Sequence, residues 1–257
     1  MISFLRGSLV AFAALALLTP AFAEDAKPDF AIANKSIEAT VLLDGPIKAD
    51  PALAADCLAE GKRWAEKYRA DADRERKQTP DMFRDGAWTV ERKYDVRSLV
   101  HDRYISIVRT DYTNTGGVHP NADVDTILWD KTAAKRISIR PFFTETADGG
   151  PTMTALRQAV VAALKTEKLK RDIPADADAH WAKPIEPKLT KIGAVTLAPS
   201  TEPGKSSGLT FHYPPDAIGP HAEGDYVGFV AWDKLKPYLT PEGVAIFGGA
   251  RPRSDED

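Results

Sequence analysis

The chain has 257 residues, 43% of them hydrophobic, with a net charge of −3 and one cysteine. That composition supports a sizeable core, either one large domain or two small interlocked ones. A charge so near neutral excludes strong attraction to nucleic acid or anionic lipid. Cys57, being alone, excludes an internal disulfide, and its expected place is inside a helix as a small hydrophobe.

Arg6 precedes an apolar run from Leu9 to Leu18, Pro20 breaks it, and Ala21-Phe22-Ala23 follows with small residues flanking a large one. This is the pattern of a secretory signal peptide over residues 1–23, cleaved after Ala23 to leave Glu24 first. The run is shorter than the roughly 20 residues a membrane span needs, and no second long apolar run follows. The mature form is therefore expected in the periplasm or secreted, without a membrane span. No cysteine stands at the cleavage point to carry a lipid.

Residues 24–35 are small and polar, a flexible leader. Ile37, Ala39, Val41 and Leu43 alternate as a strand that ends at Asp44-Gly45-Pro46. Asp50-Pro51 then opens a helix: the carboxylate caps unpaired N–H groups, and proline loses nothing at the first helical position. Leu53, Cys57, Leu58, Gly61, Trp64, Ala65 and Tyr68 form one face of it, and Thr79-Pro80 stops it. Asp56, Glu60, Lys62, Lys67 and Asp71 lie opposite and read as a solvated face.

The middle of the chain is strand-rich. Trp88 to Val96, Tyr104 to Thr113 and Asp123 to Trp129 show half-buried alternation, and a turn at Asp130-Lys131-Thr132 leads to a short strand around Arg136 to Ile139. After Asp148-Gly149-Gly150-Pro151 a second helix buries Met153, Leu156, Ala159, Val160, Ala163 and Leu164, ending at Ile173-Pro174. Residues 174–190 read as a connector with one helical turn. Strands follow at Ala194 to Leu197, Gly208 to Tyr213 and Asp225 to Ala231, then a short helix from Trp232 to Leu239 and a loose tail over residues 241–257. Helices segregated from strands imply an α+β fold: antiparallel sheets, two main amphipathic helices and a short C-terminal helix.

No G-x-S-x-G, H-E-x-x-H, C-x-x-C or G-x-G-x-x-G pattern occurs, so no catalytic residue, metal or cofactor is assigned. Pro203-Gly204-Lys205-Ser206 ends like a phosphate loop, but Pro199 stands where its first glycine belongs. Two loops between strands carry the candidate binding residues. In the first, Gly116 and Gly117 allow positive φ or close approach, and His119-Pro120 directs the exit toward Asn121. The second, His212 to Gly224, contributes Tyr213, Asp216, His221 and Glu223. A metal or acid–base site drawn from His119, His212, His221 and a carboxylate matches no ligand spacing, and turn structure is the simpler reading. His101 and His180 read as surface residues.

The same loops carry a resemblance. Tyr94 to Val100, Tyr104 to Val108 and Thr115 to Asn121, then Leu128 to Phe143, then Leu209 to Gly224, together resemble a two-part domain of unknown function. That domain occurs in the extracytoplasmic part of the lysozyme-sensing anti-sigma factor RsiV and in the non-catalytic part of the peptidoglycan deacetylase PdaC. The resemblance runs from Ile37 to Leu239 and implies a PdaC-like part over residues 36–120 and an RsiV-like part over 121–240. It implies a binding module for a lysozyme-like enzyme or peptidoglycan. Neither sigma-factor control nor deacetylation is implied, since the transmembrane, cytoplasmic and deacetylase segments are lacking. His212-Tyr213-Pro214-Pro215-Asp216 departs from the Pro-Tyr-acidic order of that family. The alternatives are a wall-directed hydrolase or metal-dependent enzyme built on His119, His221 and Asp216, and an envelope scaffold.

Overall fold

The computed structural model describes residues 27–174 and 180–255; the expected signal peptide lies outside them. Six strands form the first sheet in sequence order: β1 (Phe30–Ala33), β2 (Ile37–Leu43), β3 (Trp88–Val100), β4 (Tyr104–Asn114), β5 (Asn121–Asp130) and β6 (Lys135–Ile137). Between β2 and β3 stand a short helix α1 (Gly45–Lys48) and the long α2 (Pro51–Gln78). Because α2 carries the chain back along the sheet, β2 and β3 pair in parallel, while the other neighbours are antiparallel. The expectation of antiparallel sheets is corrected at this one pair.

The cap predicted for α2 is in place: Asp50 accepts from the N–H groups of Ala52 and Leu53, both at 3.1 Å. Leu53, Cys57, Gly61, Ala65 and Ala72 are buried against Ile37, Ala39, Val41, Tyr94 and Ile107. Gly61 sets the approach of helix to sheet, since a Cβ there would fall 2.6 Å from Val41 Cγ1. Burial pushes the Cys57 thiol up to about 12, so it stays protonated and inert.

The charged side of α2 is not simply a solvated face. Glu60 accepts from Arg109 and from Arg136, each at 2.6 Å, and Arg136 also holds Asp56 at 2.6 Å. Beside them Arg92 grips Asp111 with two bonds of 2.6 and 2.5 Å and lies over the Trp64 ring at 4.6 Å. Burial alone would push the Glu60 carboxyl up, but the Arg136 hydrogen bond and the charges of Arg136, Arg109 and Arg92 outweigh it and hold it low.

After β6 come α3 (Pro151–Lys170), then a three-stranded antiparallel sheet of β7 (Ala194–Leu197), β8 (Gly208–Tyr213) and β9 (Tyr226–Ala231), then α4 (Trp232–Leu235) and α5 (Pro241–Ile246). Met153, Leu156, Val160 and Leu164 of α3 pack with Phe211, Tyr226 and Val230, and Tyr104 and Leu128 of the first sheet join that core. Hydroxyls complete the edge of β7. Ser98 Oγ donates to the Leu197 carbonyl at 2.7 Å, Leu197 N–H donates to Ser106 Oγ at 2.9 Å, and Val195 N–H donates to Thr126 Oγ1 at 3.0 Å. The two sheets are thus joined by both apolar packing and edge hydrogen bonds.

Four expected boundaries move. The leader ends in a real strand, β1, paired along β2. The division between residues 120 and 121 falls inside the first sheet, which runs on to Ile137. Of the connector, residues 180–190 form turns rather than a helix, with Trp181 and Ile185 buried. The tail is folded through Asp255: Thr240 caps α5, Ile246 and Phe247 are buried, and Ser206 pairs with the backbone of Ile246 and Gly248. Its polar residues are engaged in backbone and ionic partnerships, which composition alone reads as solvation.

Candidate functional site

The β4–β5 turn and the β8–β9 loop meet. Asn114 Oδ1 accepts from Gly116 N–H at 3.2 Å, and Gly116 takes φ of 80°, which turns the hairpin and projects a fully exposed Val118 at its tip. His119 then lies against His221, ring centroids 3.9 Å apart and planes at 25°. His221 Nδ1 donates to Asp216 Oδ2 at 2.8 Å, and Asp216 is itself in the left-handed region with φ of 69°. His119 Nδ1 lies 3.1 Å from the Pro120 carbonyl, so that nitrogen carries the hydrogen.

Three of the sequence candidates therefore converge: His119, His221 and Asp216. Their geometry is that of a clasp rather than a metal centre. Imidazole lone pairs lie in the ring planes, and two nearly parallel planes stacked face to face do not aim at one ion about 2 Å from each. Among the described residues no group of three or more histidine, cysteine or acidic side chains is arranged to hold a metal. His221 and Asp216 resemble the base and orienting acid of a hydrolase, but the group stacked on the base is a second imidazole, not a nucleophile.

The other candidates have different partners. Glu223 is ion-paired with Lys168 at 2.7 Å and accepts from the Tyr226 hydroxyl. Lys168 is buried, with its ammonium 4.4 Å from the Tyr226 ring centre and 5.4 Å from that of Trp181. Burial by itself would push the Glu223 carboxyl up; the hydrogen bonds from Lys168 and Tyr226 prevail and hold it low. This anchor fixes the β8–β9 loop to α3. The Tyr213 hydroxyl donates to the Ile192 carbonyl, and the side chain is buried in the core, with its residue at the wall of the neighbouring hollows. Gly117 and Asn121 are exposed beside the clasp. His212 is apart from it on β8, where Nε2 lies 3.0 Å from Thr196 Oγ1. Burial, with Arg97 adding to it, pushes the His212 pKa down to about 4, which keeps the ring neutral. His101 and His180 are exposed.

Two adjoining hollows open beside the clasp and share Val124, His212 and Tyr213. The larger, about 500 Å³, lies between β5 and the loop residues Pro214, Ala217 and Ile218; the smaller, about 340 Å³, reaches Thr110 and Ala122. β5 also presents an edge, because β6 pairs only with Leu128, Trp129 and Asp130. There Asp123 and Asp125 each accept from the N–H of the next residue, Val124 at 2.9 Å and Thr126 at 2.8 Å. Carboxylates covering edge donors discourage another strand from adding by backbone pairing.

Lys168, Asp123 and Asp125 were not among the sequence candidates. Lys168 was detectable in principle, since it continues the buried stripe of α3 four residues beyond Leu164.

Comparisons bear on the fold. No family model and no curated protein matches the chain. Among solved structures it is similar to a DUF3298 family protein from Pseudomonas aeruginosa PAO1, at 18% identity and a TM-score of 0.54, covering 83% of this chain and 87% of that one. A DUF3298 family member from Bacteroides fragilis NCTC 9343 is similar at 14% identity and a TM-score of 0.50, covering 81% of this chain and 87% of that one. At such identities what is shared is the fold. Among the described residues no helix is long and apolar enough to cross a membrane.

Proposed function

We propose that this chain is a non-enzymatic binding module of the cell envelope, acting outside the cytoplasm, whose contact face is formed by the β4–β5 turn and the β8–β9 loop. The observation that carries this reading is the meeting of those loops in the His119–His221 stack, beside the hollow lined by Pro214, Ala217 and Ile218. A contact face needs side chains held in place without being consumed by the core. Here Val118 is fully exposed, Tyr112 is partly exposed, and Asp216 and His221 are fixed to each other at the surface. The fold shared with DUF3298 proteins supports assigning the chain to the same broad architecture.

The ligand classes that fit are a cell-wall glycan, whose sugar faces and hydroxyls suit apolar hollows rimmed by carboxylates, and a lysozyme-like enzyme. Lysozymes are usually basic, and the exposed carboxylates Asp123, Asp125 and Asp216 lie on this side, although Asp125 also meets Arg109 at 3.1 Å and Asp216 meets His221.

Retention of the chain starting at Glu24 on purified peptidoglycan and on an immobilised c-type lysozyme tests the reading and separates the two ligands. Binding to one of them is expected, with Gly117→Trp and His221→Ala each weakening it roughly tenfold, the effect of losing one well-placed contact. Absence of retention on both supports, at low and moderate salt, would remove it.

A further inference from the structure

A third hollow, of about 440 Å³, lies where β3, β4, β8, β9, the end of α3 and the segment after α5 meet. Its chemistry differs from that of the loop face. Arg97 reaches it from a break in the β3–β4 register: Val96 pairs with Ile107 and Ser98 with Ser106, so Arg97 has no partner across the ladder. A bulge of this kind redirects a side chain out of the normal alternation.

Arg97 ends on a carboxylate supplied by the chain itself. Asp255, which is buried, receives one terminal nitrogen of Arg97 on Oδ1. On its other oxygen it receives Arg251 Nε at 2.6 Å, and its backbone carbonyl accepts a second Arg251 nitrogen. One carboxylate thus sits between two guanidiniums. Arg97 uses only half of its fork, because its Nε is buried with no hydrogen-bond partner. The remaining cations in the lining, Lys170 and Arg171, already pair with Glu167 at 3.5 and 3.3 Å. Asp95 and Asp225 line the hollow too, and with Glu167 and the adjoining Asp255 they balance the charges of Arg97, Lys170, Arg171 and Arg251. With Asp255 withdrawn, one positive charge is left over.

We propose that Arg97 and Arg251, which line this hollow, form a carboxylate-binding site held closed by the chain's own Asp255, which adjoins the hollow without lining it, and that an external carboxylate entering the hollow exchanges with it. A planar carboxylate meets a guanidinium best through two parallel bonds. Asp255, tethered in the short turn Arg253–Asp255, takes Arg97 through one nitrogen only. An incoming carboxylate is not tethered and can take both Nε and the terminal nitrogen, gaining a bond that Asp255 leaves unmade. The carboxyl terminus of a peptide and the carboxyl of an acidic sugar share this chemistry. The hollow adjoins the smaller one beside the loop face through Val108, His212, Asp225 and Val227, but its guanidiniums, Arg97 and Arg251, are no part of that face, so the two readings are tested separately.

The test is a titration of the full chain and its Asp255→Asn variant, followed by the arginine Nε–H resonances. The probes are acetyl-alanyl-alanine, the same peptide as its C-terminal amide, and glucuronate. The variant is expected to bind a carboxylate probe roughly tenfold more tightly than the unaltered chain, a difference of about 1.4 kcal/mol. The amide is expected not to bind, and Arg97→Gln added to the variant is expected to abolish the response. Which probe binds separates peptide from sugar. A folded Asp255→Asn variant that shows no saturable response to either carboxylate overturns the proposal. Should that variant fail to fold, the unaltered chain decides: carboxylate, but not chloride, shifts the Arg97 and Arg251 Nε–H signals if the site exchanges, and no shift overturns it.

Discussion

Beneath α2, Glu60 receives Arg109 and Arg136 at 2.6 Å each, while Arg92 and Asp111 pair almost out of contact with water. At the loop tips, His221 and Asp216 make one 2.8 Å bond with side chains 36% and 59% exposed. Both clusters are built from ionisable residues, yet they play opposite parts. In the first, the inner charges, Glu60, Arg92, Arg109 and Asp111, are compensated several times over and largely removed from solvent, while Arg136 and Asp56 close the rim, so its contribution is to the specificity and integrity of the helix–sheet interface. In the second, water screens the pair, little stability is at stake, and the groups stay available to something else. Charge alone therefore does not mark a binding face.

The largest expected effect breaks the buried side of this comparison. Glu60→Ala leaves Arg109 and Arg136 short of their shared partner and should lower unfolding free energy by about 3 kcal/mol, measured by urea denaturation. A loss under about 1 kcal/mol would place that cluster in the same screened class as the loop tips.

A second, intermediate effect concerns the junction. His212 has its pKa pushed down from 6.5 to about 4 by burial, with Arg97 adding to it. Between those values the unfolded chain binds the proton and the folded chain does not. Stability is therefore full above 6.5 and is lost as pH falls toward 4. Melting temperature across that window should fall more steeply for the unaltered chain than for His212→Gln; parallel curves would contradict the assignment. Glu60 acts with the same sign at lower pH, since its folded carboxyl is held below the ordinary value: its contribution is present above 4.5 and disappears as acid protonates it.

The smallest effect on stability sharpens the other side. His119→Ala removes the ring stacked on His221 and should cost about 0.5 kcal/mol, the low end for an aromatic pair, at an exposed position. The same substitution should reduce ligand retention markedly. Loss of stability without loss of retention would make the stack a structural clasp only.

The sequence carries a trace of the buried cluster that the solvated reading of α2 left unused. Arg92 occupies an inward position between Val90 and Tyr94, and Arg109 and Asp111 continue the inward positions of β4 set by Ile107. A charge at such a place in a period-two pattern calls for a buried partner. The solvated reading of Glu60 failed because it sits beside Gly61, where helix and sheet approach closely enough to bring Arg109 and Arg136 within reach. At the site, the glycine pair and the histidine-bearing loops were visible as candidates, but their stacking was not, since no local pattern relates His119 to His221.

By itself the sequence determined what depends on neighbours along the chain. Asp50-Pro51 starts α2, alternation sets β2 to β5, and the stripe from Met153 to Leu164 makes α3 amphipathic. These follow from backbone hydrogen bonding and the periods of helix and strand. Only the tertiary structure decided the rest: the parallel β2–β3 pair, the edge of β7 closed by Ser106 and Thr126, the folded segment that brings Asp255 to Arg97, and the meeting of the two loops. Each of these depends on a distance between residues far apart in sequence, and such distances are set by how the two sheets and their helices pack.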